Sequence, residues 1–188
     1  MKKERFAVLD RDGTIIVDNP YSSDPDQIEL IPGTERGLRQ LRDLGLGLVV
    51  ITNQSGIGRG FFGETALDLM HQKLCDLLEA AGIRLDGIYW CPHRPEVGCE
   101  CRKPKTALLE LAAQELDFDP RAAFVIGDKR SDIELGRRVG ATTFLVNGGA
   151  DSPAPTDRLA APDYAVDNVA AAAKVIESLV HADGATAG

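Results

Sequence analysis

Short, nearly unbroken apolar runs alternate along this chain with longer stretches in which apolar residues recur every three or four positions. The runs Phe6 to Leu9, Leu46 to Thr52, Gly87 to Trp90, Ala123 to Ile126 and Thr143 to Val146 have the length and continuity of strands covered on both faces. Between them, Glu35 to Leu44, Glu64 to Ala81, Thr106 to Leu116 and Asp132 to Val139 carry the helical period, and Val166 to Leu179 adds a last helix. Gly45, Gly82 and Gly140 stand where helices commonly end in a left-handed residue, and Thr34 and Ser131 are N-cap candidates. This strand-helix alternation predicts an α/β fold: a three-layer, doubly wound, Rossmann-like parallel sheet. Val17 to Pro32, polar and with three prolines, reads as a loop or small flap. Pro153 to Pro162 reads as a surface linker, and about 182–188 as a loose Gly/Ala tail.

Length and charge narrow the partners. The 188 residues are expected to form one domain, 1–188, with enough core to need no staples. The basic start is followed by only four apolar residues before Asp10, too few for a signal-peptide core, and no window approaches a membrane span. A cytoplasmic monomer is the expectation, with no membrane partner. A net charge of -8 argues against nucleic acid, because affinity there comes from clustered Lys and Arg. A small phosphorylated substrate stays open, since a few cations can gather at one site.

The chemistry-bearing residues sit where strands end, which is where open α/β sheets bind ligands. Asp10-Arg11-Asp12-Gly13-Thr14 follows the first run, and carboxylates at i, i+2 project to one side of an extended chain. A solvated turn uses the same residue types. Like charges this close either raise a pKa or recruit a cation. Ile51-Thr52-Asn53-Gln54-Ser55-Gly56 ends the second strand with a hydroxyl and a run of amides, donors suited to phosphoryl oxygens. Cys101-Arg102-Lys103-Pro104-Lys105 places three cations before a helix. Gly127-Asp128-Lys129-Arg130-Ser131-Asp132 supplies further carboxylates; Asp128 suits a hard cation such as Mg2+, which prefers oxygen donors. Asp132 either joins that site or caps the helix beginning there.

These four pieces, in this order, resemble the four motifs of the haloacid dehalogenase-like phosphohydrolase superfamily, over Phe6 to about Val146. The resemblance implies that Asp10 is a nucleophile forming an aspartyl-phosphate and that Asp12 is the general acid and base. It implies that Thr52 and Lys103 hold the phosphoryl group. It also implies Mg2+ bound by Asp10, Asp128 and the backbone carbonyl of Asp12. Splitting hydrolysis into two displacements suits a fixed carboxylate, provided its charge and that of the phosphate are neutralised.

Cys91, His93, Cys99 and Cys101 crowd into eleven residues, zinc loop 91–101, while Cys75 lies alone in a helical segment. C-x-H and C-x-C offer two ligand pairs that can close a tetrahedron, so a structural Zn2+ with no open position is expected. Arg102 and Lys103 follow directly, so the metal would stiffen the loop that aims them. This loop, with the TNQSGIGRGFF run, is similar to the family of D-glycero-D-manno-heptose 1,7-bisphosphate 7-phosphatases, which implies removal of a sugar 7-phosphate in nucleotide-activated heptose biosynthesis. Histidinol-phosphate phosphatases share the zinc loop and the aspartates. They usually carry TNQDG where this chain has Ser55, and arginine where it has Lys129.

No stretch between the motifs is long enough for a cap domain, so the cap is minimal and made of loops. Val17 to Pro32, Asn53 to Phe62 and the zinc loop are expected to wall the sugar, with Asn53, Gln54, Ser55, Arg102, Lys129 and Arg59 as substrate contacts. Phe61 and Phe62 are expected in ordinary core packing, and His71 and His181 receive no role. A phospho-accepting receiver-like signalling module also combines acids, Thr and Lys on a parallel sheet, but would not need a second catalytic carboxylate at Asp12.

Overall fold

In the computed structural model, which describes residues 3–147, 159 and 161–186, five apolar runs become strands of one all-parallel sheet. They are β1 (Phe6–Leu9), β2 (Gly47–Asn53), β3 (Gly87–Cys91), β4 (Phe124–Gly127) and β5 (Thr142–Val146); a short β6 (Tyr164–Val166) completes the edge. The order is β3-β2-β1-β4-β5-β6. Its helices are α1 (Thr34–Asp43), a single turn α2 (Ser55–Gly58), α3 (Glu64–Ala80), α4 (Ala107–Leu116), α5 (Arg130–Val139) and α6 (Val169–Thr186). Among the described residues no helix is long and apolar enough to cross a membrane.

Alternation along each buried strand divides the core in two. Ala7 and Leu9 of β1, with Leu48, Val50, Phe124 and Ile126, meet α1, α3 and α6 through Leu38, Leu41, Leu74 and Ile176. Phe6 and Val8, with Val49, Ile51 and Val125, meet α4 and α5 through Leu109, Ala112 and Leu135. The three-layer, doubly wound arrangement expected from the runs is therefore the one observed.

Several ends differ from expectation. Gly33 precedes α1 and Thr34 is its first residue, with its hydroxyl donating to Ile15 O at 3.1 Å. Lys129, not Ser131, stands before α5. Val166, expected to start the last helix, instead ends β6, which pairs with β5, and α6 begins at Val169 and runs to Thr186. A three-residue edge strand carries too little periodicity to be seen, and α6 continues through residues 182–186, expected as a loose tail. Most of the linker expected over Pro153 to Pro162, and the last two residues of the expected tail, lie outside the described residues.

The sheet order reverses direction between β1 and β4, which opens a crevice at their carboxyl ends. Asp10 follows β1 there, its N-H donating to Ile126 O at 3.0 Å, and Asp128 follows β4.

Candidate active site

Strand β1 stops at Leu9, and the next residues turn sharply over the β4 end. Gly13 adopts φ +84, and a Cβ there would lie 2.3 Å from Asp128 Oδ2. Only glycine meets both demands. Gly127 serves the second approach: its Cβ would collide with the Asp132 side chain. These two contacts let Asp10, Asp128 and Asp132 converge, all buried, with carboxylate oxygens within 4.8 Å of one another.

Lys103 answers the charge. Its fully buried ammonium lies 2.8 Å from Asp10 Oδ1 and 2.6 Å from Asp132 Oδ1, and donates to Ile51 O at 2.6 Å. Burial pulls its pKa down, but Asp10 and Asp132 outweigh that and hold it above the usual lysine value. Asp132 also accepts from the Lys129 N-H at 3.0 Å, so both meanings expected of it are present in one side chain: it closes the start of α5 and grips the lysine. Burial raises Asp132 to about 6 against the pull of Lys103. Asp128 has only a loose ion pair, with Lys129 Nζ 3.9 Å from its Oδ2, and accepts from Thr14 Oγ1 at 3.3 Å. Burial pushes its pKa to about 7, Lys129 opposes this, and the charges of Asp10 and Asp132 add to it. Buried hard-oxygen donors with an uncompensated negative charge fit a divalent cation such as Mg2+.

Asp12 faces elsewhere. Its carboxylate accepts from Arg11 Nε at 3.1 and 3.3 Å and from Nη2 at 3.0 Å, from Gln54 Nε2 at 2.7 Å, and from Thr52 Oγ1 at 3.4 Å. Burial raises its pKa, but Arg11 and Gln54 prevail and hold it below the usual carboxylate range. Gln54, expected to touch substrate, spends its amide on Asp12 and on Thr52 Oγ1, at 2.8 Å. Asn53, also expected to touch substrate, brackets the Lys103 backbone, accepting from its N-H at 3.0 Å and donating to its carbonyl at 3.3 Å. The β2 end is thus tied to the lysine loop.

A cleft of about 290 Å³ lies over these groups and is lined by Asp10, Asp12, Thr52, Asn53, Gln54, Ser55, Arg102, Lys103 and Lys129. Its rim adds Asp18 to Ser22 from the expected flap, and Phe62. Lys129 Nζ meets Asp18 Oδ2 at 3.2 Å. Arg59, expected as a substrate contact, is exposed and does not line the cleft. Phe61, expected in the core, is 58% exposed and meets Tyr21 edge-on at 4.7 Å.

The zinc loop closes as its spacing predicts. Cys91 Sγ lies 3.5 Å from Cys99 Sγ and 3.1 Å from Cys101 Sγ, Cys99 and Cys101 are 3.4 Å apart, and His93 Nδ1 is 3.6 and 3.2 Å from Cys91 and Cys101. Zn-S bonds of about 2.3 Å in a tetrahedron imply edges of about 3.8 Å, close to these. Burial pushes the Cys91 thiol up to about 12, with Cys101 adding to it, so a thiolate cluster here needs a cation. The four side chains could hold zinc. Arg102 Nη1 donates to His93 O at 3.1 Å, Gln54 N-H to Cys91 O at 2.7 Å and Gly58 N-H to Pro92 O at 2.9 Å, which fasten the loop to the cleft.

Arg11 and His71 carry no role in the sequence analysis and Asp132 stays undecided there, whereas Asp18 and Tyr21 belong to the flap Val17 to Pro32 expected to wall the sugar. Arg11 gave no periodic signal: its guanidinium folds back onto the carboxylate of its own neighbour, Asp12.

Known proteins resemble this chain over most of its length. The HAD-hydrolase-like family model matches residues 100–172. The D-glycero-beta-D-manno-heptose-1,7-bisphosphate 7-phosphatase of Pasteurella multocida is 39% identical over 186 residues, which is 95% of this chain and 99% of that protein. The D,D-heptose 1,7-bisphosphate phosphatase of B. bronchiseptica, solved in complex with magnesium and phosphate, superposes with a TM-score of 0.82 at 28% identity, covering 93% of this chain and 98% of that one. The Burkholderia thailandensis D,D-heptose 1,7-bisphosphate phosphatase gives 0.70 at 31% identity, over 93% and 99%. The chain belongs to the haloacid dehalogenase-like hydrolase family, in the group formed with these relatives.

Proposed function

We propose that the protein is a Mg2+-dependent phosphomonoester hydrolase that removes the 7-phosphate of D-glycero-D-manno-heptose 1,7-bisphosphate through an aspartyl-phosphate on Asp10. The observation that carries this reading is the buried Lys103 ammonium 2.8 Å from Asp10, with Asp128 alongside at the crevice between β1 and β4. A nucleophilic carboxylate facing a phosphate dianion needs such fixed positive charge.

Asp10 attacks phosphorus as the bond to the sugar oxygen breaks, and Asp12 gives that oxygen its proton. Asp12 then takes a proton from water, which attacks the same phosphorus, breaks its bond to Asp10 and releases inorganic phosphate. The Thr52 hydroxyl holds a phosphoryl oxygen; Lys103 neutralises charge on the nucleophile and the transferred group. The carboxylates of Asp10 and Asp128 and the carbonyl of Asp12 would hold Mg2+, which supplies further neutralisation of phosphoryl charge. Arg102 and Lys129, both in the cleft, offer cations for the second phosphate, with Ser55 beside them. The whole chain acts as one domain, a monomer in the cytoplasm, where the thiols that zinc requires stay reduced.

Phosphate release from heptose 1,7-bisphosphate and from histidinol phosphate, side by side with Mg2+, tests the substrate. The expected result is strong preference for the heptose. Equal turnover would overturn the heptose assignment, and no release from either would overturn the hydrolase.

A further inference from the structure

Arg11 is 2% exposed, and its Nη1 is buried with no hydrogen-bond partner. Burying a guanidinium costs several kcal/mol unless it is fully paired, and an apolar side chain of similar size is often the more stable choice. Stability alone therefore does not explain it. Its one charged partner among the described contacts is Asp12, held by a two-pronged fork. From α3, His71 is close enough to feel the charge: burial first, then Arg11, brings it to about 4, so it is neutral and brings no second cation. Its Nε2 is likewise buried without a partner.

We propose that Arg11 is a positioning residue that fixes the Asp12 carboxylate for proton transfer, with Gln54 as its counterpart from the β2 end. Asp10 and Asp12 are chemically identical and two residues apart, yet they hold different partners: Asp10 meets Lys103, and Asp12 meets Arg11 and Gln54. Without the fork, only Gln54 and Thr52 hold the Asp12 carboxylate, on one oxygen, and it is less restrained from turning toward Lys103 or a cation at the acidic cluster and away from the leaving oxygen. Arg11 neither gives nor takes a proton in either step; it orients the Asp12 carboxylate and also lowers its pKa. The inference rests on the proposed role of Asp12 as acid and base.

The test compares two leaving groups in wild type, Arg11→Met, Arg11→Lys, Gln54→Leu and Asp12→Asn. An alkyl phosphate, heptose 1,7-bisphosphate, needs its leaving oxygen protonated, whereas p-nitrophenyl phosphate expels a phenolate that does not. Arg11→Met is expected to lower kcat for the heptose by about 10- to 100-fold with KM nearly unchanged, while the burst of phenolate release stays close to wild type. Arg11→Lys restores charge but not the fork and recovers little of the loss. Gln54→Leu gives a smaller split in the same sense and decides the matter should Arg11→Met fail to fold. Equal losses on both substrates in the folded variants, or no loss, would overturn the proposal. Asp12→Asn separates it from the underlying reading: retained turnover of the heptose phosphate there removes the acid role itself, whereas lost turnover beside an unaffected Arg11→Met removes only the role of Arg11.

Discussion

The ammonium of Lys103 stands 2.8 Å from Asp10 Oδ1 and 2.6 Å from Asp132 Oδ1, so one buried cation joins the end of β1 to the first turn of α5. The three side chains are nearly inaccessible, which makes the lysine both a structural tie and an electrostatic one. Removing one partner of such a group leaves uncompensated buried charge.

Lys103→Met is therefore expected to lose stability by about 3–5 kcal/mol without Mg2+, read as a shift in denaturant midpoint. Saturating Mg2+ should restore part of that stability, because the freed carboxylates bind a cation more tightly. Turnover should stay about a hundredfold to a thousandfold down at any Mg2+ concentration, since the lysine also serves the transferred phosphoryl group. Full rescue of phosphate release by Mg2+ would show that its contribution is charge balance alone.

Stability against pH should invert when the cation is bound. In metal-free protein Asp128 titrates near 7, against 3.8 when unfolded, so the native state holds the extra proton between those values. Stability then falls as pH rises from about 4 to about 7, by up to about 1.4 kcal/mol per unit. Mg2+ binds the ionised carboxylate and should flatten or reverse that slope. Thermal melts across this range, with EDTA and with Mg2+, check the sign; a metal-free slope that rises with pH contradicts the buried, uncompensated Asp128.

The zinc loop should act on substrate affinity more than on the chemical step. Arg102 is held by His93 O, a carbonyl of the loop itself, whereas the Lys103 ammonium is anchored outside the loop by Asp10, Asp132 and Ile51 O. Cys99→Ser should lower bound zinc from about one per chain to a small fraction, measured by elemental analysis, and reduce the melting temperature by several degrees. KM for the heptose bisphosphate should rise several-fold, with kcat falling less. The reverse pattern would mean that the loop governs the position of Lys103.

How far the sequence foretold this site follows from what each residue needed. Asp10, Thr52 and Asp128 sit at strand ends, and strands covered on both faces announce themselves as unbroken apolar runs, so topology brings these three together with little further information, while Lys103 reaches them from the loop before α4. The zinc ligands are local in the chain and their spacing is their geometry. Gln54 and Asn53 were assigned to substrate because a polar run after a strand faces the crevice; which side-chain amide turns inward depends on Asp12 and on the Lys103 backbone, distant in sequence. Arg59 was placed by its position in the loop Asn53 to Phe62, but it follows the single turn α2 on the exposed side, and no local pattern tells which residues of that loop face the cleft. Arg11 and His71 answer to a buried cluster that no periodic pattern reveals.

Gly13 offers the narrowest test of the crevice. At φ +84 any side chain is strained, and a Cβ would stand 2.3 Å from Asp128 Oδ2 and 2.7 Å from its Cγ. The two effects have different destinations: backbone strain costs about 1–3 kcal/mol of stability, whereas the collision displaces a carboxylate on which metal binding depends. Gly13→Ala should therefore unfold at lower denaturant and, while still folded, need at least tenfold more Mg2+ for half-maximal turnover, about 1.4 kcal/mol of lost affinity. Asn147, whose Nδ2 donates to Gly13 O at 2.6 Å, gives the control: Asn147→Ala loosens the same turn without touching Asp128 and should cost stability with the Mg2+ requirement close to wild type. An unchanged Mg2+ requirement in folded Gly13→Ala would mean that Asp128 can shift aside without leaving the metal.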